Sequence, residues 1–228
     1  MPRIARIIAP GYPHHITQRG NNRSVVFFDD EDRQTYLTLL AGYAEKHALQ
    51  VLAYCLMPNH VHILAVPDTE ASLARGIGLT NQVYTQYLNR KHDQSGRLWQ
   101  NRFFSCIVEQ DKHLWAVASY IERNPIKAGL VKKPEEYQWS SARAHVLGTK
   151  DPILTPGPSW LIPRKRKAYA DFINTSDPKL DDAIRSSTKT GRPFGSERFI
   201  DRLETVVQHP LRPGKPGRPP KKLGSVPL

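Results

Sequence analysis

Strand and helix patterns follow one another through the first 150 residues in the order β, α, β, β, α, β, α. Apolar and β-branched runs predict strands over residues 14–19, 50–57, 60–66 and 105–109. Helical spacing of apolar residues predicts helices that begin near Asp29, Ser72 and Asp111. This order is typical of the α+β class, with a ferredoxin-like, split βαβ antiparallel sheet that carries its helices on one face.

The composition changes near residue 150. Residues 151–158 run Asp-Pro-Ile-Leu-Thr-Pro-Gly-Pro, and most of the 19 prolines of the chain follow residue 150. Proline at this density continues neither a helix nor a central strand. We therefore predict a domain over residues 1–150 and a small, Pro-rich, partly helical, basic extension over residues 151–228.

The charge balance indicates the class of partner. The chain carries 33 lysines and arginines against 21 aspartates and glutamates, a formal net charge of +12. Such a field attracts polyanions, among which nucleic acid is the commonest, and a solubility charge or a ribosome-associated protein is the alternative. No apolar run approaches the roughly 20 residues of a membrane span. The chain has only two cysteines, so it has no disulfide framework and suits the reducing cytoplasm. We therefore predict a cytoplasmic, nucleoid-associated protein without membrane contact.

Two histidines lie two residues apart in the third predicted strand. Because side chains i and i+2 of a strand point to one face, His60 and His62 leave the sheet together. Such a pair can chelate a divalent cation, although it also occurs as a plain strand feature; the very apolar strand around it favours a metal site. Zinc bound with Cys55 and Cys106 is the competing interpretation, but the usual Cys-x-x-Cys spacing is missing.

Tyr120 and Asn124 are one turn apart on the third predicted helix, so both project from one helix face. A tyrosine can act as a nucleophile that forms a covalent intermediate, and an amide oxygen can complete a metal site. The alternative is structural. Tyr120 would then be a core aromatic, and Asn124, directly before Pro125, would end the helix.

Five blocks of the sequence resemble one protein family. They are Thr-Gln-Arg-Gly-Asn-Asn-Arg at 17–23, Met-Pro-Asn-His-Val-His-Ile-Leu at 57–64, Gly-Arg-Leu-Trp-Gln-Asn-Arg-Phe at 96–103, Tyr-Ile-Glu-Arg-Asn-Pro-Ile-Lys-Ala-Gly-Leu-Val at 120–131 and Trp-Ser-Ser at 139–141. In this order the blocks resemble the REP-associated tyrosine transposases, a branch of the single-tyrosine, insertion-sequence-200-like HUH transposases. The resemblance covers roughly residues 1–148.

The resemblance implies an activity and a set of site residues. Tyr120 would attack a phosphorus of single-stranded DNA, leaving a 5′-phosphotyrosine link and a free 3′-OH that can later reverse the attack. His60, His62 and Asn124 would bind Mg²⁺ or Mn²⁺. The substrate would be single-stranded or hairpin DNA of repetitive extragenic palindromes, and the protein a monomer or homodimer.

Cationic and aromatic side chains of these blocks are the predicted DNA contacts, because phosphates attract cations and unpaired bases stack on rings. They are Arg19, Arg23, Arg97, Trp99, Arg102, Arg123 and Lys127. Trp99 is equally consistent with a core position. Residues 213–222 resemble an AT-hook, in which Arg218 would enter a narrow minor groove; the alternative is a basic tail without sequence preference.

Two further functions stay open at this point. One is a non-catalytic DNA-binding regulator on the same fold; the other is a metal-dependent RNase or phosphodiesterase that needs the histidines but not Tyr120. Because His60, His62 and Tyr120 are all present, we favour a metal-dependent single-strand DNA endonuclease and strand transferase. All three precede residue 150, so we predict that a protein without the extension binds DNA more weakly but keeps its chemistry.

Overall fold

The structure is a computed structural model that describes residues 7–110, 112–155 and 163–212. At its centre lies a four-stranded antiparallel sheet with the strand order β2-β3-β1-β4. The predicted α+β class and split βαβ arrangement are confirmed, because β3 lies between β1 and β2 and pairs antiparallel with both. The strands are β1 (His14–Arg19), β2 (Leu49–Met57), β3 (His60–Pro67) and β4 (Phe104–Ile107).

The three helices predicted in the first 150 residues begin close to the positions that the sequence indicates. A capping box starts the first helix: Asp29 accepts from the backbone N–H of Asp32, whose carboxylate accepts from the N–H of Asp29. Within the described residues, no helix is long and apolar enough to cross a membrane. The helices are α1 (Asp30–Lys46), α2 (Ser72–Lys91), α3 (Lys112–Glu122), α4 (Asn124–Lys127), α5 (Ala142–Leu147), α6 (Arg166–Ile173), α7 (Pro178–Thr190) and α8 (Glu197–Val207).

Helices cover both faces of the sheet. On the first face, Ile16 and Ile63 pack in one buried cluster with residues of α1 and α2. On the second face, Leu64 and Cys106 share a cluster with residues of α3, α6 and α7. The prediction that the helices lie on one face of the sheet is therefore correct only for α1 and α2. Strands β2 and β3 are apolar on both sides, and a sheet of that kind needs cover on both.

The predicted boundary at residue 150 coincides with a loop that follows the left-handed helix end at Gly148. Beyond the loop, Tyr169 and Ile184 are fully buried in the cluster that contains Leu64 and Val117. Residues on the two sides of the loop thus share one hydrophobic cluster, and the division into two parts stays a prediction. Asp111, the predicted helix cap, and the tail from residue 213 onwards lie outside the described residues.

Candidate active site

Two imidazoles of β3 form one wall of the site. Across the sheet, His60 pairs with Arg19 of β1, and His62 pairs with Thr17 of β1 and Cys55 of β2. The centres of the two imidazole rings are 5.1 Å apart. The strand spacing therefore brings both rings to the same side of the sheet, in the geometry that a shared ligand needs.

One nitrogen of each ring is already occupied by a protein neighbour. Nδ1 of His60 lies 2.6 Å from Oδ1 of Asn59, and Nδ1 of His62 lies 2.9 Å from Nε2 of His15. Nε2 of each ring is thus the nitrogen left for a ligand. Burial, helped by the positive charge of Arg19, lowers the pKa of His60 to about 4, and burial holds the pKa of His62 well below its usual value. Both rings are neutral at pH 7, as metal binding requires.

His15 connects this wall to a helix far along the chain. Its ring lies nearly coplanar with that of His62, with the centres 5.2 Å apart and the planes at 12°. Nδ1 of His15 lies 2.7 Å from Oγ1 of Thr188 in α7, and the whole contact is buried. Burial lowers the pKa of His15 to about 3, so this ring too is neutral.

Tyr120 of α3 faces the two histidines. Its ring stands edge-on to His62, with the centres 5.6 Å apart and the planes at 87°. Burial raises the pKa of the Tyr120 hydroxyl, while a hydrogen bond from Arg185 of α7 opposes that rise. The structure thus brings Tyr120, His60 and His62 together, although they lie some 60 residues apart in sequence. A phenol, a guanidinium and two neutral imidazoles are the groups needed for a nucleophile beside a metal site.

Asn124 lies one turn beyond Tyr120, as predicted. Its Nδ2 donates to the carbonyl of Tyr120 at 2.7 Å and to that of Ile121 at 3.2 Å. The physical reason is Pro125, which has no N–H to donate to the carbonyl of Ile121 and so interrupts the helical hydrogen bonds. The amide of Asn124 takes over that role, and its Oδ1 is the atom left to coordinate. Its assignment as third metal ligand stays a prediction.

The donor set fits a hard divalent ion better than zinc. Among the residues that the structure describes, no three His, Cys, Asp or Glu side chains are grouped so as to hold a metal. Cys55 and Cys106 are buried free thiols, and they form no such group with the two histidines. Two imidazoles and one amide leave several positions for oxygen ligands, which Mg²⁺ and Mn²⁺ take from water and phosphate.

The predicted DNA contacts divide into exposed and buried side chains. The exposed ones are Arg19, Arg23, Arg97, Arg102 and Lys127. Arg123 is buried and donates to Asp181 at 3.1 Å, and Lys127 pairs with the same carboxylate at 2.6 Å. Trp99 is 8% exposed, and its indole N–H donates to the carbonyl of Asn81. The ring of Trp99 is therefore part of the core, and a contact with DNA bases stays a prediction. Arg218 lies outside the described residues.

A groove lies between α2 and the segment 96–102. Its volume is about 780 Å³, and its lining includes Gln82, Gln86, Asn89, Arg97, Asn101 and Arg102. The segment is fixed beside the end of β1, because Gln100 donates its backbone N–H to Arg19 and Asn21 donates to Leu98, both at 2.8 Å. Arg19 is also the residue opposite His60. The segment that lines the groove is therefore fixed at the end of β1, the strand that pairs with the histidine strand β3.

Three site residues of α7 were not predicted from the sequence. Asp181 binds the two cations Arg123 and Lys127, Arg185 bonds the hydroxyl of Tyr120, and Thr188 bonds His15. Their spacing of i, i+4 and i+7 places them on one helix face. Polar residues at this spacing are the sequence signal that one face of the helix contacts other polar side chains of the protein.

Comparisons with known proteins show what the chain is similar to. The family model for IS200-like transposases matches residues 11–124. A protein of Haemophilus influenzae described as a REP-associated tyrosine transposase is 28% identical over 107 residues, which are 42% of this chain and 61% of that protein. The match thus spans about three fifths of the length of this curated relative. A solved structure of a REP-associated tyrosine transposase bound to a REP hairpin superposes with a TM-score of 0.55 at 21% identity, covering 69% of this chain and 93% of that one.

Proposed function

Because the chain belongs to the IS200-like transposase family, we propose that it is a metal-dependent single-strand DNA endonuclease and strand transferase with a 5′-phosphotyrosine intermediate. The observation that carries the proposal is the edge-on position of Tyr120, 5.6 Å from the ring of His62. A nucleophile beside a pair of metal-binding imidazoles is what the reaction requires. A regulator without catalysis would not need this juxtaposition.

The reaction follows from the groups in the site. Oη of Tyr120 forms a bond to phosphorus and its proton passes to solvent, while the bond from phosphorus to O3′ breaks. The electron pair of that bond stays on O3′, which takes up a proton and becomes a free 3′-OH. Arg185, which bonds Oη, stabilises the phenolate before attack. Because the new phosphotyrosine link keeps a phosphodiester, attack by a 3′-OH reverses the step without ATP.

His60 and His62 would hold Mg²⁺ or Mn²⁺ through Nε2, with Oδ1 of Asn124 as the proposed third ligand. Such an ion supplies a Lewis acid at the scissile phosphate. The neighbours of the two rings support this assignment, since Asn59 and His15 occupy Nδ1 of each ring and fix its orientation.

Single-stranded or hairpin DNA is the proposed substrate. The structural relative was solved with a REP hairpin, and the groove beside Arg19 supports a similar partner here. Arginine forks suit phosphates and guanine edges, and the carboxamides of Gln82, Gln86 and Asn101 suit adenine edges. DNA that runs from this groove over Arg19 reaches the histidine wall.

The experiment is a denaturing gel of labelled hairpin DNA incubated with protein and Mg²⁺ or Mn²⁺. We expect a covalent adduct in wild type and none in Tyr120→Phe, His60→Ala, His62→Ala or wild type with EDTA. Removing one hydroxyl deletes the nucleophile while hardly changing the packing, so Tyr120→Phe should still bind the hairpin in a gel-shift assay. Tyr43→Phe, on α1 away from the site, is the matched control and keeps full activity.

Two results would overturn the proposal. An adduct formed by Tyr120→Phe excludes this tyrosine as the nucleophile. Metal-dependent cleavage without any adduct, unaffected by Tyr120→Phe, points instead to a nuclease that uses only the histidines.

A further inference from the structure

The histidine wall is continued by a buried chain of three side chains that ends in α7. Thr188, His15 and His62 are exposed by 2%, 1% and 6%. The distances along the chain are 2.7 Å from Thr188 Oγ1 to His15 Nδ1 and 2.9 Å from His15 Nε2 to His62 Nδ1. We propose that Thr188 is a positioning residue that fixes, through His15, the ring tautomer in which His62 can bind metal. This inference rests on the proposed function, because it concerns the metal site of that reaction.

The direction of the first hydrogen bond follows from the hydroxyl proton of Thr188. Oγ1 of Thr188 donates to the carbonyl of Ile184 at 2.9 Å, the back-bond that threonine commonly makes within a helix. A hydroxyl has one proton, so towards His15 this oxygen accepts. Nδ1 of His15 therefore carries the ring proton and donates it to Thr188.

The second hydrogen bond follows from the first. A neutral imidazole has one N–H, so Nε2 of His15 is an acceptor. Nδ1 of His62 must then carry a proton and donate it to His15. That leaves Nε2 of the neutral His62 ring with its lone pair, which is the atom that coordinates a cation.

If both hydrogen bonds ran in the opposite direction, Nε2 of His62 would be protonated and could not bind a metal ion. If Thr188 donated to His15, Nε2 of His15 would donate to His62, and the proton of His62 would sit on Nε2. The sulfur of Cys106, 3.3 Å from Oγ1 of Thr188, does not change this result. It either donates a weak S–H to the threonine or competes for the same threonine proton, and in both cases Thr188 still accepts from His15.

The same helix face reaches the nucleophile. Arg185 lies one turn before Thr188 and bonds the Tyr120 hydroxyl, and Asp181 lies one turn before Arg185. One face of α7 therefore contacts both halves of the site, the nucleophile and the metal-binding imidazole. In this interpretation the residues after 150 belong to the active site.

The test starts with the metal-free protein, labelled with ¹⁵N at histidine. Two-bond ¹H–¹⁵N correlations show which ring nitrogen carries the proton, and we expect Nδ1 for both His15 and His62. Three variants follow: Thr188→Val removes the hydroxyl at nearly constant volume, Thr188→Ser restores it, and Thr190→Val makes the same change on the same helix. Thr190 is a matched control because its hydroxyl also back-bonds to the i−4 carbonyl.

We expect Thr188→Val to move part of the His62 population to the Nε2–H form. Its affinity for Mn²⁺, measured by calorimetry on folded protein, should fall about 10- to 100-fold, the usual loss when an outer partner of a ligand is removed. Thr188→Ser and Thr190→Val should match wild type in both measurements.

The outcomes separate this inference from the proposed function. If His62 of the wild type is protonated at Nε2, the inference is overturned. This measurement requires no variant, so it remains decisive even if Thr188→Val does not fold. A folded Thr188→Val with the tautomer and Mn²⁺ affinity of Thr190→Val overturns it as well. A wild type that shows the expected tautomers but binds no Mn²⁺ overturns the metal site of the proposed function instead.

Discussion

Nζ of Lys127 lies 4.5 Å from the centre of the Tyr120 ring. The ammonium is held there by Asp181, which pairs with it at 2.6 Å and with Arg123 at 3.1 Å. A single carboxylate of α7 thus fixes two cations beside the proposed nucleophile. An ammonium over a ring face is favourable in itself. In the proposed reaction it would also place positive charge where the DNA phosphate approaches.

Replacing Asp181 by Asn should destabilise the protein strongly. The side chains of Asp181 and Arg123 are only 7% and 9% exposed, so the change leaves a buried guanidinium without its partner. Breaking such a pair typically lowers the free energy of unfolding by about 3–5 kcal/mol. Urea denaturation measures the loss. Asp182→Asn is the control, because its pair with Arg185 is on the surface, with the two side chains 71% and 62% exposed; equal effects of the two changes would contradict the assigned burial.

Replacing Arg185 by Gln should shift the pH dependence of DNA cleavage. The hydrogen bond and charge of Arg185 lower the pKa of Tyr120 against the rise that burial causes. Without them the pKa of Tyr120 rises further, and a smaller fraction of phenolate is present at any pH below it. The ascending limb of the rate profile should therefore move to higher pH, with hairpin affinity changed less than the cleavage rate. Single-turnover rates from about pH 7 to 11, a range that brackets the ordinary tyrosine pKa of about 10, test this. Lys189→Gln on the same helix is the control.

Local sequence patterns were sufficient for the sheet and for one half of the site. Alternation in β3 predicted that His60 and His62 share a face, and apolar spacing predicted α2 with its observed ends, Ser72 and Lys91. Both features depend on residues within one element. Periodicity shows which residues of one helix or strand share a face.

The other half of the site depends on tertiary packing that periodicity does not encode. His15 and Thr188 are 173 residues apart in sequence, and their contact exists only because α7 packs on β1 and β4. The placement of helices on the second face was missed for the same reason: continuous apolar strands show that cover is needed but not which segment supplies it. Trp99 shows the same limit, since an aromatic among cations is equally consistent with a DNA contact and a core position, and only the tertiary packing shows that its ring lies in the core.

The buried histidines should make the fold sensitive to acid. Burial lowers the pKa of His14 to about 4 and that of His15 to about 3, from an ordinary 6.5. Between pH 6.5 and 4 the unfolded chain therefore binds protons that the folded chain does not, so stability falls as pH falls. Each histidine contributes a slope of about 1.4 kcal/mol per pH unit. Thermal melts across this range should show the loss, and His14→Gln should flatten it. The exposed His209→Gln should not, and an unchanged slope in His14→Gln would contradict the burial of that ring.

Two truncations separate the structural from the DNA-binding role of the chain after residue 150. Ending the chain at 212 removes the basic tail, residues 213–228, and leaves the sheet and helices α1 to α8 whole. We expect the fold and cleavage at saturating DNA to persist. Hairpin affinity should fall, and the slope of log K against log salt should flatten by about 0.7–0.9 for each phosphate that the tail neutralises. Unchanged affinity and slope would show that the tail does not bind DNA.

Ending the chain at 150 should instead abolish folding, contrary to the expectation from the sequence that the chemistry survives. The cut removes Tyr169, whose hydroxyl donates at 2.8 Å to the fully buried carboxylate of Glu122. It also removes Asp181 and Thr188, and it exposes the apolar face of β4 that α7 covers. The Glu122 carboxylate would keep Ser141 and His145 but lose the Tyr169 hydroxyl. The buried guanidinium of Arg123 would lose its carboxylate partner Asp181, which is strongly destabilising. Circular dichroism and a melting curve test this first; a folded and catalytically active fragment of residues 1–150 would show that the packing of α6 and α7 against the site is dispensable.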